Sequence, residues 1–202
     1  MNSPSHVEWH PGDMRHAGVP ERYRTFRPPE GEWGDAAHTL WTKVGQKCMV
    51  GLLGKRGTGK TAMACAMIGE TLRLRERASI FDQNAAQICR YTTAMEIFLR
   101  VRSTYQDEAA EKESDVLKAY RTPHLLVIDE IQERGDTAFE DRVLGHILDG
   151  RYSSMKPTIL VGNLEPKELA RSLGPSIADR LRESGAVIEC NWGSFRRPSL
   201  AS

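Results

Sequence analysis

The sequence lacks any apolar run long enough to cross a membrane as a helix. It also opens without the apolar core of a secretory signal, since Met1-Asn2-Ser3-Pro4-Ser5-His6 is polar. A cytoplasmic location without membrane contact is therefore the expectation. Charge of one sign is missing too. Lys and Arg number 28 against 27 Asp and Glu, so no global basic field recommends nucleic acid, and any DNA contact needs a local patch. Cysteine is scarce: Cys48, Cys65, Cys89 and Cys190 form no CxxC pair and no zinc spacing. Reduced, mostly buried thiols are expected. His6, His10 and His16 lie near Glu8, where a polar tail is favoured over a metal site. No internal repeat or low-complexity tract is present. What is there is ordinary for a globular chain: 202 residues, 40% apolar and 27% charged, enough for one domain with its own core.

Residues 1–35 are rich in Pro, Gly and charge, with Pro28-Pro29 and Gly31 breaking any helix, and read as an irregular N-terminal arm. A domain over 36–196 and a tail over 197–202 follow. A helix is expected over 35–44. Strands are expected over 48–53, 78–81, 124–128, 158–161 and 186–190, each a short apolar run. Between them the pattern predicts helices over 60–75, 94–105 and 137–148, and two short ones across 166–182. Thr137 and Glu140 have capping-box spacing, ahead of a Phe139, Val143, Ile147 stripe. The charged stretch 106–114 reads as an exposed loop. Alternating strands and helices give an α/β fold, a parallel five-stranded sheet between helices.

Gly54-Lys55-Arg56-Gly57-Thr58-Gly59-Lys60-Thr61 matches GxxxxGK[ST]. Glycines let the backbone turn its N–H groups toward phosphates, and the following helix adds its positive end. Lys60 is placed to reach the β and γ phosphates and Thr61 to ligate Mg²⁺. The strand before and helix after separate this from a chance glycine-rich turn. ATP and Mg²⁺ are the expected cofactors.

Leu125-Leu126-Val127-Ile128-Asp129-Glu130 is a buried strand ending in two carboxylates, at the sheet edge where open α/β folds bind ligands. Asp129 is expected to hold Mg²⁺ and Glu130 to orient or deprotonate the attacking water, which favours hydrolysis over simple binding. Asn163 ends another apolar strand and would meet the γ-phosphate or the water if that strand adjoins the phosphate loop; a turn asparagine is the alternative. Arg180 lies in Asp179-Arg180-Leu181-Arg182 and would act as an arginine finger on a neighbouring subunit's ATP; a solvated helical arginine is the alternative.

The ordered set of phosphate loop, Leu125–Glu130, Asn163, Leu173-Gly174, Asp179–Arg182 and Asn191-Trp192-Gly193-Ser194-Phe195-Arg196 resembles the AAA+ ATPases of the DnaC/IstB type, the helicase loaders and transposition helpers. Gly18-Val19-Pro20-Glu21-Arg22-Tyr23 looks like the segment before that family's ATPase core. The resemblance implies an AAA+ P-loop core, with Asp129 and Glu130 as the Walker B pair, Asn163 as sensor 1 and Arg180 as a finger in trans. It implies a homo-oligomer with ATP sites between subunits, a replicative helicase as partner and single-stranded DNA as ligand. The matching DNA-contact positions are Tyr105, Thr137 and Phe139; a cap and an apolar stripe are the alternative roles of the last two. Two departures stand out. About 17 residues precede the matching segment, too few for a separate helicase-binding domain, and no C-terminal lid domain is expected after Cys190. A lid arginine is therefore not expected, and a substitute at Arg196 or Arg197 is not favoured. The rival expectations are a transposition helper, a small-molecule P-loop kinase and a non-catalytic ATP-binding scaffold.

Overall fold

Three strands consist almost wholly of apolar side chains, as a sheet covered on both faces requires. β1 (Met49–Gly54), β3 (Leu125–Asp129) and β4 (Thr158–Gly162) are buried along their length apart from a partly exposed Gly54. β2 (Cys89–Thr93) and β5 (Val187–Cys190) close the two edges, and all pair in parallel in the order β2-β3-β4-β1-β5. The structure, a computed structural model, describes residues 11–25, 28–77, 85–135, 137–183 and 187–195. Its helices are α1 (Pro11–His16), α2 (Glu32–Gly45), α3 (Lys60–Arg77), α4 (Ala85–Ile88), α5 (Ala94–Ser103), α6 (Glu113–Arg121), α7 (Ala138–Ser153), α8 (Leu169–Leu173) and α9 (Pro175–Glu183).

Side chains alternate across a strand, so each strand feeds two cores. Val50, Leu52, Leu125, Val127, Ile159 and Val161 pack with Leu40 and Val44 of α2 and Met63 and Ile68 of α3. Leu53, Leu126, Ile128 and Leu160 pack on the other face with Phe98 of α5, Val116 of α6, Ile147 of α7 and Leu181 of α9. The sheet is thus sandwiched between two helical layers.

Four details differ from the sequence expectation. The N-terminal arm is not irregular throughout: α1 forms, α2 starts at Glu32, and Met14, Ala17, Val19 and Trp33 are buried in the first core. The arm also covers the edge of the sheet, because the Tyr91 N–H donates to Ala17 O at 2.7 Å. The strand expected over 78–81 lies outside the described residues. A strand that was not expected, β2, runs beside β3; its Arg90, Tyr91 and Thr93 are only half-buried and break the apolar run that marks its neighbours. Part of the charged loop, from Glu113, is α6, which buries Val116 and Tyr120 at helical spacing. Lastly, the Thr137 hydroxyl accepts from Glu140 N at 3.3 Å, but the Glu140 carboxylate turns to Gly135 N at 2.7 Å, so only half the capping box closes. A complete box stands at Thr93 and Glu96, opening α5.

Arg151 of α7 is fully buried and fixes the ends of β3 and β4 remote from the strand-end carboxylates. Its Nε donates to Thr158 Oγ1 at 2.8 Å. Its two terminal nitrogens donate to the carbonyls of Tyr120, Arg121, Pro123, His124 and Pro157 at 2.7–3.2 Å. Burial without a carboxylate partner pushes its pKa down to about 9. Arg151→Met should cost about 3 kcal/mol or more, because several buried carbonyls lose their donors together. Arg151→Lys, with three donors, should fall between variant and wild type. Urea denaturation measures both, and a loss below about 1 kcal/mol for Arg151→Met would contradict this role.

Candidate nucleotide site

The GxxxxGK[ST] segment joins the end of β1 to the start of α3. Gly54, Gly57 and Gly59 take φ of 134°, 87° and 80°, a region open chiefly to glycine. At Gly54 a Cβ would also stand 2.5 Å from Cys190 O of β5. Three successive carbonyls of the loop are tied outward by groups from elsewhere in the chain. Phe195 N donates to Gly57 O at 2.9 Å, Trp192 Nε1 to Thr58 O at 2.8 Å and Trp33 Nε1 to Gly59 O at 3.3 Å. In a trans peptide the C=O of one residue and the N–H of the next point oppositely. The N–H groups of Thr58, Gly59 and Lys60 are therefore each directed away from the anchor on the preceding carbonyl, as donors of the kind that receive phosphate. Lys60 is buried, its Nζ donating to Gly54 O at 2.8 Å and Lys55 O at 2.6 Å. The Thr58 hydroxyl also donates to Lys55 O, at 3.1 Å.

Asp129 ends β3 and is buried. Tyr91 OH donates to its Oδ2 at 2.9 Å and Glu130 N to its Oδ1 at 2.7 Å. Each oxygen keeps a further lone pair, so the carboxylate has the donor chemistry for a hard, oxygen-ligated cation such as Mg²⁺. Glu130 takes φ of 54° and is exposed. Its carboxyl lies above the ordinary glutamate range because of partial burial first, then the charges of Asp129, Glu133 and Glu96. The loop then folds over β4: Ile131 N donates to Val161 O at 3.1 Å, and Asn163 N to Gln132 Oε1 at 2.9 Å. Arg56 reaches Glu133 from the phosphate loop at 3.3 Å.

The strand order puts β4 between β3 and β1. Asp129, Asn163 and Gly54 thus lie at the same end of three neighbouring strands, Asn163 one residue past the Leu53–Gly162 pair and Asp129 one residue past the Ile128–Leu160 pair. Arg180 is elsewhere. It is half-buried on α9, ion-paired with Asp149 of α7 and placed over the Tyr152 ring at 5.2 Å. The residues expected to meet DNA form a third group. Tyr105 and Phe139 make an edge-to-face contact at 6.2 Å, Arg102 lies over Phe139 at 5.1 Å, and Thr137 caps the same helix as Phe139. Tyr105 is 58% exposed. Arg100 turns away, pairing with Glu111.

Motif and spacing alone leave Tyr91, Gln132, Trp33, Trp192 and Phe195 without a role. Trp192 and Phe195 fall in the Asn191–Arg196 ending, so a signal was present, whereas Tyr91 and Trp33 carry no motif. Among the described residues no group of three or more His, Cys, Asp or Glu gathers to hold a metal, and no helix is long and apolar enough to cross a membrane. Cys65, Cys89 and Cys190 are buried free thiols and Cys48 a partly buried one.

A parallel sheet with a phosphate loop, a strand-end Asp-Glu pair and a strand-end Asn on one edge defines an AAA+ type P-loop nucleotide-binding core. Comparison narrows the class: the model of the IstB-like ATP binding proteins matches residues 37–200, and the chain belongs to that family. The replicative helicase loader DnaC of Escherichia coli (strain K12) is 30% identical over 71% of this chain and 54% of its own length. The chain thus spans about half the length of the curated relatives it matches. A crystal structure of the DnaC helicase loader superposes with a TM-score of 0.64 at 18% identity, covering 87% of this chain and 98% of that one. The replication initiator DnaA bound to AMPPCP and single-stranded DNA superposes with a TM-score of 0.63 at 18% identity, covering 85% and 50%. These two likenesses concern the fold.

Removing one anchor of the loop should be measurable. Trp192→Phe keeps an aromatic ring but deletes the bond to Thr58 O, worth about 1 kcal/mol, and should weaken ATP affinity about fivefold. Titration with a fluorescent ATP analogue reads this, and unchanged affinity would show the anchor to be dispensable.

Proposed function

We propose that the chain hydrolyses ATP at sites shared between subunits and uses the turnover in DNA replication in the cytoplasm, delivering a replicative helicase onto single-stranded DNA. The observation that carries the hydrolytic part is the shared sheet edge of phosphate loop, Asp129-Glu130 and Asn163. In this reading Lys60 leaves the carbonyls of Gly54 and Lys55 for the β and γ phosphates, and the Thr58, Gly59 and Lys60 N–H groups receive phosphate oxygens. Thr61 and Asp129 hold Mg²⁺, which supplies charge neutralisation on the phosphate oxygens. Glu130 takes a proton from, or orients, the attacking water, and Asn163 hydrogen-bonds that water or the γ-phosphate.

The raised Glu130 pKa gives this a sign. A general base works deprotonated, so turnover should fall as the pH drops through a value above the free glutamate pKa of about 4.3. Glu130→Gln should abolish turnover and keep ATP binding, while Lys60→Ala should lose both. Steady-state phosphate release across pH measures this. Full turnover in Glu130→Gln, or an acidic limb at or below about 4.3, would exclude Glu130 as the base.

Arg180 completes the site of a neighbour in this reading, exchanging Asp149 for transition-state charge. Arg180→Ala subunits should be inactive alone and regain turnover when mixed with Glu130→Gln subunits; mixtures without recovery would rule the finger out. The helicase part rests on the family and on the loader function of the DnaC relatives. The Tyr105–Phe139–Arg102 group supplies a stacking and cationic surface for single-stranded DNA. A transposition helper is the second reading, favoured by the IstB-like model match. Capture with tagged protein and ATP separates them: a co-purifying helicase supports loading, and a co-purifying transposase overturns it.

A further inference from the structure

At the other end of the sheet a cavity of about 510 Å³ opens between α6, α7 and the turn into β4. Lys118, Arg121, His146 and Lys156 line it, and among the described residues no carboxylate does; the Thr122 and Ser154 hydroxyls there donate to the carbonyls of Lys118 and Gly150. Lys118, Thr122, His146 and Ser154 are exposed, so the cavity is an open cleft. Arg121 and Lys156 are held there by groups other than carboxylates. The Arg121 guanidinium lies flat on α7, where a Cβ at Gly150 would strike it, and its Nη1 meets His146 Nε2 at 3.2 Å. Lys156 Nζ donates to the carbonyls of Arg121 and Thr122, which leaves its third N–H for a ligand. Partial burial, then the charges of Arg151 and Arg121, hold the Lys156 pKa below the ordinary lysine value. An anion would relieve that repulsion.

The cleft is distinct from the nucleotide site. Arg121 and Thr122 lead into the start of β3 and Lys156 into the start of β4, whereas Asp129 and Asn163 lie at the far ends of those strands. A five-residue strand separates the two ends by about 16 Å. We propose that this cleft binds the sugar-phosphate backbone of nucleic acid without reading bases. Lys and Arg donors are among those that position phosphates. A protein partner would need aromatic or apolar anchors, and among the described residues Leu117 alone supplies one in the lining. An open cleft suits an extended polyanion better than an enclosed metabolite. The choice of nucleic acid as the polyanion rests on the DNA-handling function proposed above.

Duplex DNA is the probe, because its paired bases cannot stack on Tyr105. Binding is followed by anisotropy of a labelled duplex across a salt series. Lys118→Ala/Arg121→Gln should weaken duplex binding about tenfold or more at low salt and lower the slope of log K against log salt by about 1.8, or about 0.9 for each phosphate no longer neutralised. ATP affinity in this variant should stay at the wild-type value, which reports an intact fold. Tyr105→Ala should leave duplex binding unchanged and weaken single-stranded binding. Lys118→Glu alone, on the exposed side of α6, tests the same direction should the double variant not fold. Equal affinity and slope in wild type and variant would overturn the inference. Wild type binding single strands but not duplex would overturn it while leaving the helicase-loader reading intact, and binding to neither would overturn both. Shifts of the His146 imidazole resonances with inorganic pyrophosphate or polyglutamate, but not with duplex, would assign the cleft to a free phosphoanion or an acidic protein and overturn it as well.

Discussion

Three hydrogen bonds to the carbonyls of Gly57, Thr58 and Gly59 are the constraint on which the nucleotide site depends. A glycine-rich loop loses more conformational entropy on ordering than any other segment, so it needs external restraint to present a fixed row of donors. Trp33 reaches it from α2, Trp192 and Phe195 from the chain after β5. Planarity of each peptide turns the next N–H away from the anchored carbonyl. The anchors also crowd the loop: a Cβ at Gly59 would sit 2.9 Å from Trp33 Nε1 and 3.3 Å from Phe195 Cδ2. Glycine at 59 is thus required both by φ and by its neighbours.

The motif-bearing parts of the site were legible in the sequence because each sits where a fully apolar strand stops. Gly54, Asp129 and Asn163 all end such runs, and a parallel sheet brings strand ends to one edge. What joins them was not legible. β2 carries no continuous apolar run, since its Arg90, Tyr91 and Thr93 face partly outward at the sheet edge. Its one contribution to the site, the Tyr91 hydroxyl on Asp129, crosses 38 positions of sequence and follows no spacing rule. α6 was hidden by the charges around Val116 and Tyr120, which its two buried positions outweigh. The Thr137–Glu140 spacing promised a complete capping box, and tertiary context gave the Glu140 carboxylate a different partner at Gly135.

Positive φ at Glu130 marks the place where the local backbone preference yields to the site. A non-glycine residue there is uncommon and costs on the order of 1 kcal/mol, and it persists only where its surroundings hold it. Here Asp129 Oδ1 takes the Glu130 N–H, and Ile131 N is bonded to Val161 O immediately after. Gly162 makes that return possible, because a Cβ on it would lie 2.8 Å from Ile131 Cγ1. The exposed carboxylate and the buried one are therefore set by the same turn, one on each side of a bent peptide.

The segments flanking the core on both sides converge on this turn and on the loop. On the N-terminal side, Ala17 O receives Tyr91 N, and Gly18 lies so close to Tyr91 O that a Cβ would come within 2.7 Å. Tyr91 then holds Asp129, while Trp33 of the same flank holds Gly59. On the C-terminal side, Trp192 and Phe195 hold the neighbouring carbonyls. A shift of the loop on filling with phosphate has to be absorbed by these donors, since packed groups move between discrete arrangements and do not deform continuously. The flanks thus touch the phosphate loop through Trp33 on one side and through Trp192 and the Phe195 backbone on the other.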